Sequence, residues 1–405
     1  MQALVIKGGG VTTPQGFKAG VAKAGIKSQD RYDLALVVSE EPAAGAAVFT
    51  TNKFAAAPVQ LSKKHLAQGG FFRGFVVNSG CANACTGEKG LVDAFQMAQT
   101  AAGVIGCSPG EFLVASTGVV GVDLPMEAVR RAIGEAGNRL SVEAGSLAAE
   151  AIMTTDTFAK EIALQIELDG QKVLLGGMAK GAGMIHPNMA TMLALVTTDA
   201  AISPACLQEA LRRANDASFN MVTVDGDTST NDTVVVLANG RAGNPLLEDT
   251  ANPGFELFCE ALKEVCQALA KMIARDGEGA TKLLEVQVVN APGPEDARKA
   301  ARAIAGSTLL KAALFGEDAN WGRIICALGY SGARFEPDRV DVYLGGLLVA
   351  RNGAGASFSE EEAGKLLAKE EIRIVVDLQA GDAAATAWGC DLSYEYVRIN
   401  ADYRS

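Results

Sequence analysis

The sequence predicts a mixed α/β or α+β chain whose sheets are not built from regular βαβ units. Three observations carry this. Apolar runs of strand length recur from one end of the chain to the other, several with half-buried alternation. Segments with helical spacing and recognisable caps lie between them. The two kinds follow one another irregularly, with no internal repeat and no low-complexity linker.

In chain order, the strand-like runs are residues 3–6, 34–38, 74–77, 112–115, 162–168, 173–175, 192–196, 233–237, 285–289, 324–327, 340–343, 372–376 and 394–399. Ile372-Arg-Ile-Val-Val376 and Tyr394-Glu-Tyr-Val-Arg-Ile399 show the alternation most clearly. Helices are expected over 125–140, where Pro125 sits in the first turn, and over the Ala-rich 142–153. Ser203-Pro204 opens another, with a hydroxyl to receive orphan N–H groups. Residues 255–275 form a long one, with Gly277 beyond it as a stop. Ser359-Glu-Glu-Glu362 is a capping box that opens a helix over 360–369.

Composition narrows the function. The 405 residues are enough for a sizeable core in two or three lobes. Lysine and arginine total 36 against 47 aspartates and glutamates, a net charge of −11. No basic block offers a footprint for nucleic acid. No apolar run reaches the length of a membrane span, and the N-terminus does not have the pattern of a signal peptide, so a cytoplasmic location is expected. The eight cysteines are scattered and expected to be reduced. The one close pair is Cys81 and Cys85, and the chain has two histidines, so a zinc site would be short of ligands. His65, in a polar helical stretch, is expected to be solvated, and no Ser-His-Asp triad is visible.

Five polar, glycine-bearing clusters could carry chemistry: VNSGCANACTG (77–87), LVASTGVVG (113–121), MVTVDGDTSTND (221–232), ARDGEGATK (274–282) and GEDANWGR (316–323). None is a dinucleotide fingerprint or a GxxxxGK[ST] loop. VDGDTSTND lacks the length and terminal Glu of a calcium hand, so its Asp and Thr side chains are expected to satisfy their own turn.

A sixth stretch, AKGAGMIHPNMATMLALVTTDA (179–200), runs from a Gly/Ala loop into an apolar strand with Ala190-Thr191 at the junction. Thr191 has two readings. It could simply begin a buried strand. It could instead be a nucleophile that attacks the carbonyl of Ala190, shifts the acyl group from N to O, and is freed by hydrolysis of the ester. The new α-amine, with a reference pKa of about 7.7–8.0, is then a base suited to neutral pH. Lys180 is a nearby cation that would hold that amine neutral. Both steps develop an oxyanion, and Ser116-Thr117-Gly118 could supply a hydroxyl and a backbone N–H to it.

The blocks GGMAKGAGMIHPNMATMLALVTTDA, VVNSGCANACTG, ASTGVVG, MTTDT, NMVTVDGDTSTND, ARDGEGATK, GEDANWGR and RINADYRS closely resemble, in order, those of the ornithine acetyltransferase family. The family is also called glutamate N-acetyltransferase, or the arginine biosynthesis bifunctional protein family. The resemblance spans essentially the whole chain. It implies an α-β-β-α sandwich of the ornithine acetyltransferase and N-terminal-nucleophile aminopeptidase-like superfamily. It implies cleavage between Ala190 and Thr191, which divides the chain into 1–190 and 191–405 within one intertwined unit. Thr191 would be the nucleophile, Thr117 and Gly118 the oxyanion hole, and Thr154, Lys180, Thr191, Glu278, Asn400 and Ser405 the substrate contacts. The implied reaction moves acetyl from N-acetylornithine to glutamate through an acetyl-threonine, with no bound cofactor or metal. Acetyl-CoA stays open as a further co-substrate. The implied assembly is a heterotetramer of two chains of each kind. An alternative is a self-processed aminopeptidase or amidase of related fold.

Overall fold

The computed structural model describes residues 3–186 and 192–402. Ala190, Thr191 and Ser405 therefore lie outside the described residues. The first part of the chain carries β1 (Leu4–Val5), β2 (Phe17–Ala22), β3 (Leu34–Phe49), α1 (Ala57–Gln68), β4 (Phe71–Cys81), α2 (Gly87–Ile105) and β5 (Phe112–Val119). Helices α3 (Met126–Gly137) and α4 (Gly145–Ala151) precede the hairpin β6 (Lys160–Leu168) and β7 (Gln171–Lys180). Then come β8 (Leu193–Thr198), α5 (Pro204–Asp216), β9 (Thr233–Ala238) and α6 (Pro253–Arg275). The described strands form one sheet in the order β1-β6-β7-β8-β9-β3-β4-β5, with β2 paired to β3. It is mixed: β4 and β5 are parallel, as are β8 and β9, and the other pairs are antiparallel.

Alternating residues show that this sheet doubles over into two layers. The register of β3 shifts between Val38 and Ala43; residues 34–39 pair with β2, and residues 44–49 pair with β9. Successive side chains on a strand point to opposite faces. On one face, Val37, Phe75, Val77 and Leu113 meet Met178, Leu193, Leu195, Val235 and Leu237 in a shared core between the layers. On the other face, Leu34, Leu36, Val76, Phe112 and Val114 pack on α1, α2 and α3. Ala194, Val196, Val234 and Val236 instead pack with α5 and α6. The layers are helix, sheet, sheet, helix, as expected. Helix α6 begins at Pro253, with the Asn252 side chain accepting from the Gly254 N–H. Gly177 of β7 lets it close in, since a Cβ there would come within 3.0 Å of Val265 and Leu269.

The far side of α6 supports a second sheet. It comprises β10 (Leu283–Ala291), β11 (Asp341–Leu344), β12 (Leu347–Arg351), β13 (Ala354–Gly355), β14 (Glu371–Asp377) and β15 (Ala383–Cys390), in the order β13-β12-β11-β14-β10-β15. Helices α7 (Pro294–Ala305), α8 (Thr308–Phe315), α9 (Trp321–Gly329) and α10 (Glu360–Leu367) accompany it, and α11 (Tyr394–Asp402) ends the described chain.

Three expectations are corrected. Residues 324–327 lie inside α9, where the Asn320 side chain accepts the Arg323 N–H and opens a helix. A four-residue apolar run does not distinguish strand from helix. Residues 394–399 form α11; no residue of that helix is buried, so its alternation reflects no packed face. His65 is buried, with Nδ1 2.8 Å from the carbonyl of Phe112, because α1 lies against β5.

Candidate active site

β4 and β5 run in register so that Ser79 faces Thr117 and Gly80 faces Gly118. Gly118 has φ 131°, and a Cβ on it would lie 2.6 Å from Cys81 N and Gly80 O. Only glycine fits that close approach of two backbones. Ser116 turns the other way and gives its hydroxyl to Asn78 Oδ1 at 2.6 Å. Asn231 ties this wall to the β9 side by donating to the carbonyls of Ser116 and Ala82.

Thr117 and Gly118 line a pocket of about 70 Å³ together with Thr154, Lys180, Glu278 and Asn400. These six come from the end of β5, the loop before β6, the end of β7, the turn after α6, and α11. All six sequence-predicted residues that are described meet here, at the ends of elements rather than in their middles.

Glu278 is set by its backbone, whose N–H donates to the Ala182 carbonyl at 2.9 Å. Its Oε2 accepts from Asn400 Nδ2 at 2.8 Å, which links α11 to the pocket. Lys180 is the last residue of β7 and is 2% exposed. Burial pulls its pKa down, while Asp156, Glu278 and Asp232 oppose that pull. The pocket therefore sets an ammonium against a carboxylate, a pair suited to the two ends of an amino acid.

Charged groups to which the sequence reading gave no part in the substrate site lie around this pair. Asp156 is buried; although burial favours its neutral form, Lys180 and Lys160 hold its carboxyl well below the usual range. Asp232 Oδ1 accepts the N–H of Met192, the residue that follows Thr191, at 3.1 Å. Its Oδ2 has no partner among the described residues, and burial pushes its pKa well up. Asp225 accepts the N–H groups of Met184 at 2.6 Å and Ile185 at 2.8 Å. VDGDTSTND thus does more than satisfy its own turn, for it fixes the segment that leads to 190–191. The signal available in the sequence was acidic residues inside MTTDT, VDGDTSTND and ARDGEG, blocks otherwise rich in small and hydroxyl residues.

The model of the ArgJ family matches residues 18–405. The arginine biosynthesis bifunctional protein ArgJ of Symbiobacterium thermophilum is 56% identical over 400 residues, which cover 98% of this chain and 99% of that one. Its counterpart from Geobacillus kaustophilus is 50% identical over 100% of this chain and 98% of its own. Among solved structures, the arginine biosynthesis bifunctional protein ArgJ of Bacillus halodurans is 48% identical, covering 51% of this chain and 97% of that chain with a TM-score of 0.49. The chain belongs to the ArgJ family.

Proposed function

We propose that the chain cleaves itself between Ala190 and Thr191 and then moves acetyl from N-acetylornithine to glutamate. The observation that carries this is the pocket itself. Six residues that the sequence marks at five separate places line one cavity. Thr191 is joined directly to Met192, whose N–H is held by Asp232 beneath it. The names of the relatives, arginine biosynthesis bifunctional proteins, support the same reading.

In self-cleavage the Thr191 hydroxyl adds to the Ala190 carbonyl carbon, the C–N bond breaks, and water hydrolyses the resulting ester. The freed α-amine then takes the hydroxyl proton as Thr191 attacks the acetyl carbonyl of N-acetylornithine. Ornithine leaves with that proton, and acetyl stays on the Thr191 oxygen. Glutamate's amine attacks this ester and regenerates the threonine. The Thr117 hydroxyl and the Gly118 N–H would receive the oxyanion in each step. Lys180 would hold a substrate carboxylate and Glu278 an ammonium, with Thr154, Asn400 and Ser405 closing the site. Closure must exclude water, or the acetyl ester would hydrolyse. Acetyl-CoA would be a second acetyl donor to glutamate, with no cofactor held in the resting enzyme. The mature protein would be two chains of each kind, working in the cytoplasm. No helix among the described residues is long and apolar enough to cross a membrane.

A denaturing gel of the purified protein should show two pieces of about half length, with Thr191 at the second N-terminus by mass spectrometry. Thr191→Ala should fold, stay whole and be inactive. Ornithine release from N-acetylornithine should depend on glutamate. Acetate release that ignores glutamate would instead indicate the amidase alternative.

A further inference from the structure

Beneath the pocket lies a charge cluster of which the reaction above calls on Lys180 alone. The Asp156 side chain has no solvent exposure. Its Oδ1 accepts from Lys160 Nζ at 2.7 Å and from the Gly181 N–H at 2.6 Å. Its Oδ2 accepts from the Thr154 N–H at 2.9 Å and lies 3.8 Å from Lys180 Nζ. Lys160, also wholly buried, reaches Asp276 Oδ2 at 2.5 Å, and Asp276 accepts the Thr157 N–H at 3.0 Å. Two lysines and two aspartates thus balance one another out of water, which offsets part of their desolvation cost.

Neutralising Lys160 does not require Asp156, because Asp276 already faces that ammonium. What Asp156 adds is contact with three pieces of the pocket. It fixes the backbone of Thr154, the ammonium end of Lys180, and Gly181 at the start of the segment that leads to 190–191. We propose that Asp156 is the positioning residue of the substrate site, holding Lys180 charged and aimed so that it can take the substrate's carboxylate. This rests on the acetyltransferase reading.

The charged groups that face Lys180 are Asp156, Lys160, Glu278 and Asp232, and Lys27 senses the same cluster. Without the charge of Asp156, burial and Lys160 both act against the Lys180 ammonium. It would then lose its proton at a lower pH and release the substrate carboxylate.

The test is steady-state kinetics of Asp156→Asn with N-acetylornithine over about pH 6 to 9, with activity normalised to cut protein and folding checked by thermal unfolding. The expected result is a KM raised about tenfold or more and rising further with pH, while kcat changes much less. A purely structural residue would lower the amount of active enzyme and leave KM and its pH profile as in the wild type, and that result overturns the proposal. Should the Asn variant not fold, Asp156→Glu keeps the charge and displaces it by one methylene. Its KM should rise several-fold, and an unchanged KM overturns the proposal equally. Wild-type protein that does not turn over N-acetylornithine would defeat the acetyltransferase reading itself. Turnover with KM unmoved in both variants would defeat only the role given to Asp156.

Discussion

Replacing Gly183 by alanine separates the pocket's chemistry from the chain's stability. A Cβ on Gly183 would lie 2.6 Å from Glu278 Oε1 and closer still to the carboxyl carbon and Oε2. Ordinary contact begins near 3.4 Å, and the nearest carboxylate atoms would lie closer than 2.6 Å, so the carboxylate must retreat by roughly 1 Å. The backbone cannot provide that retreat, because the Glu278 N–H is tied to the Ala182 carbonyl beside it. The side chain must rotate instead and give up Asn400 Nδ2. A misplacement near 1 Å at a reacting site costs on the order of 100-fold, about 2.7 kcal/mol of transition-state stabilisation. Stability should move little and in the other direction. Gly183 does not have a positive φ, so alanine is free of backbone strain. Its smaller unfolded-state entropy is worth about 0.4–1 kcal/mol in favour of folding. The assay is kcat/KM for N-acetylornithine per mole of cut enzyme, beside a thermal unfolding curve. Activity within about twofold of wild type at unchanged stability would refute the assignment of Glu278 to substrate.

Two further perturbations act on neighbouring parts. Gly118→Ala drives a Cβ into the backbone of Gly80 and Cys81, where nothing flexible can yield. It should abolish processing and lower stability by roughly 1–3 kcal/mol or more, read from a gel and a denaturant titration. For Asp232 the folded-state pKa is raised above the unfolded value, so the native chain binds the extra proton. The stability from that proton is complete below the unfolded pKa of about 3.9 and is lost as pH rises toward the folded value, at up to about 1.4 kcal/mol per pH unit. Asp232→Asn should flatten this slope, and an unaltered slope in chemical denaturation would show that Asp232 titrates normally.

Much of the architecture was legible because its core strands carry uninterrupted apolar runs. Leu193–Thr198 and Thr233–Ala238 are buried on both faces, and their β-branched residues mark them as strands without reference to partners. Helix α6 was legible from its spacing, since its apolar stripe has the helical period over 23 residues. What failed had no such signal. The alternation in Tyr394-Glu-Tyr-Val-Arg-Ile399 was incidental in a segment that packs no buried residue. His65 looked solvated beside two lysines, yet its helical face turns inward to a carbonyl of β5. In the site, a hydroxyl-glycine motif pointed to Thr117 and Gly118, and the family resemblance to Thr154. These bonds of Asp156, Asp225 and Asp232 join residues 25 to 41 positions apart across different strands and loops, and local sequence does not show such pairing.

The location of the proposed cut follows from the sheet. β7 and β8 are adjacent antiparallel strands, and their last pair is Lys180 with Leu193. Residues 181–192 are therefore the connection between neighbouring strands, already closed at its base by hydrogen bonds on both sides. Severing it removes none of the described ladder bonds, and β8 is also paired to β9 and β7 to β6. The first-chain side of the connection stays anchored, with Gly181 on Asp156 and with Met184 and Ile185 on Asp225. The second-chain side stays anchored through Met192 on Asp232. Cleavage between these anchors would give Thr191 a free amine while every described wall of the pocket kept its support. A cut inside β7 or β8 would instead cost ladder bonds worth about 0.5–1.5 kcal/mol each.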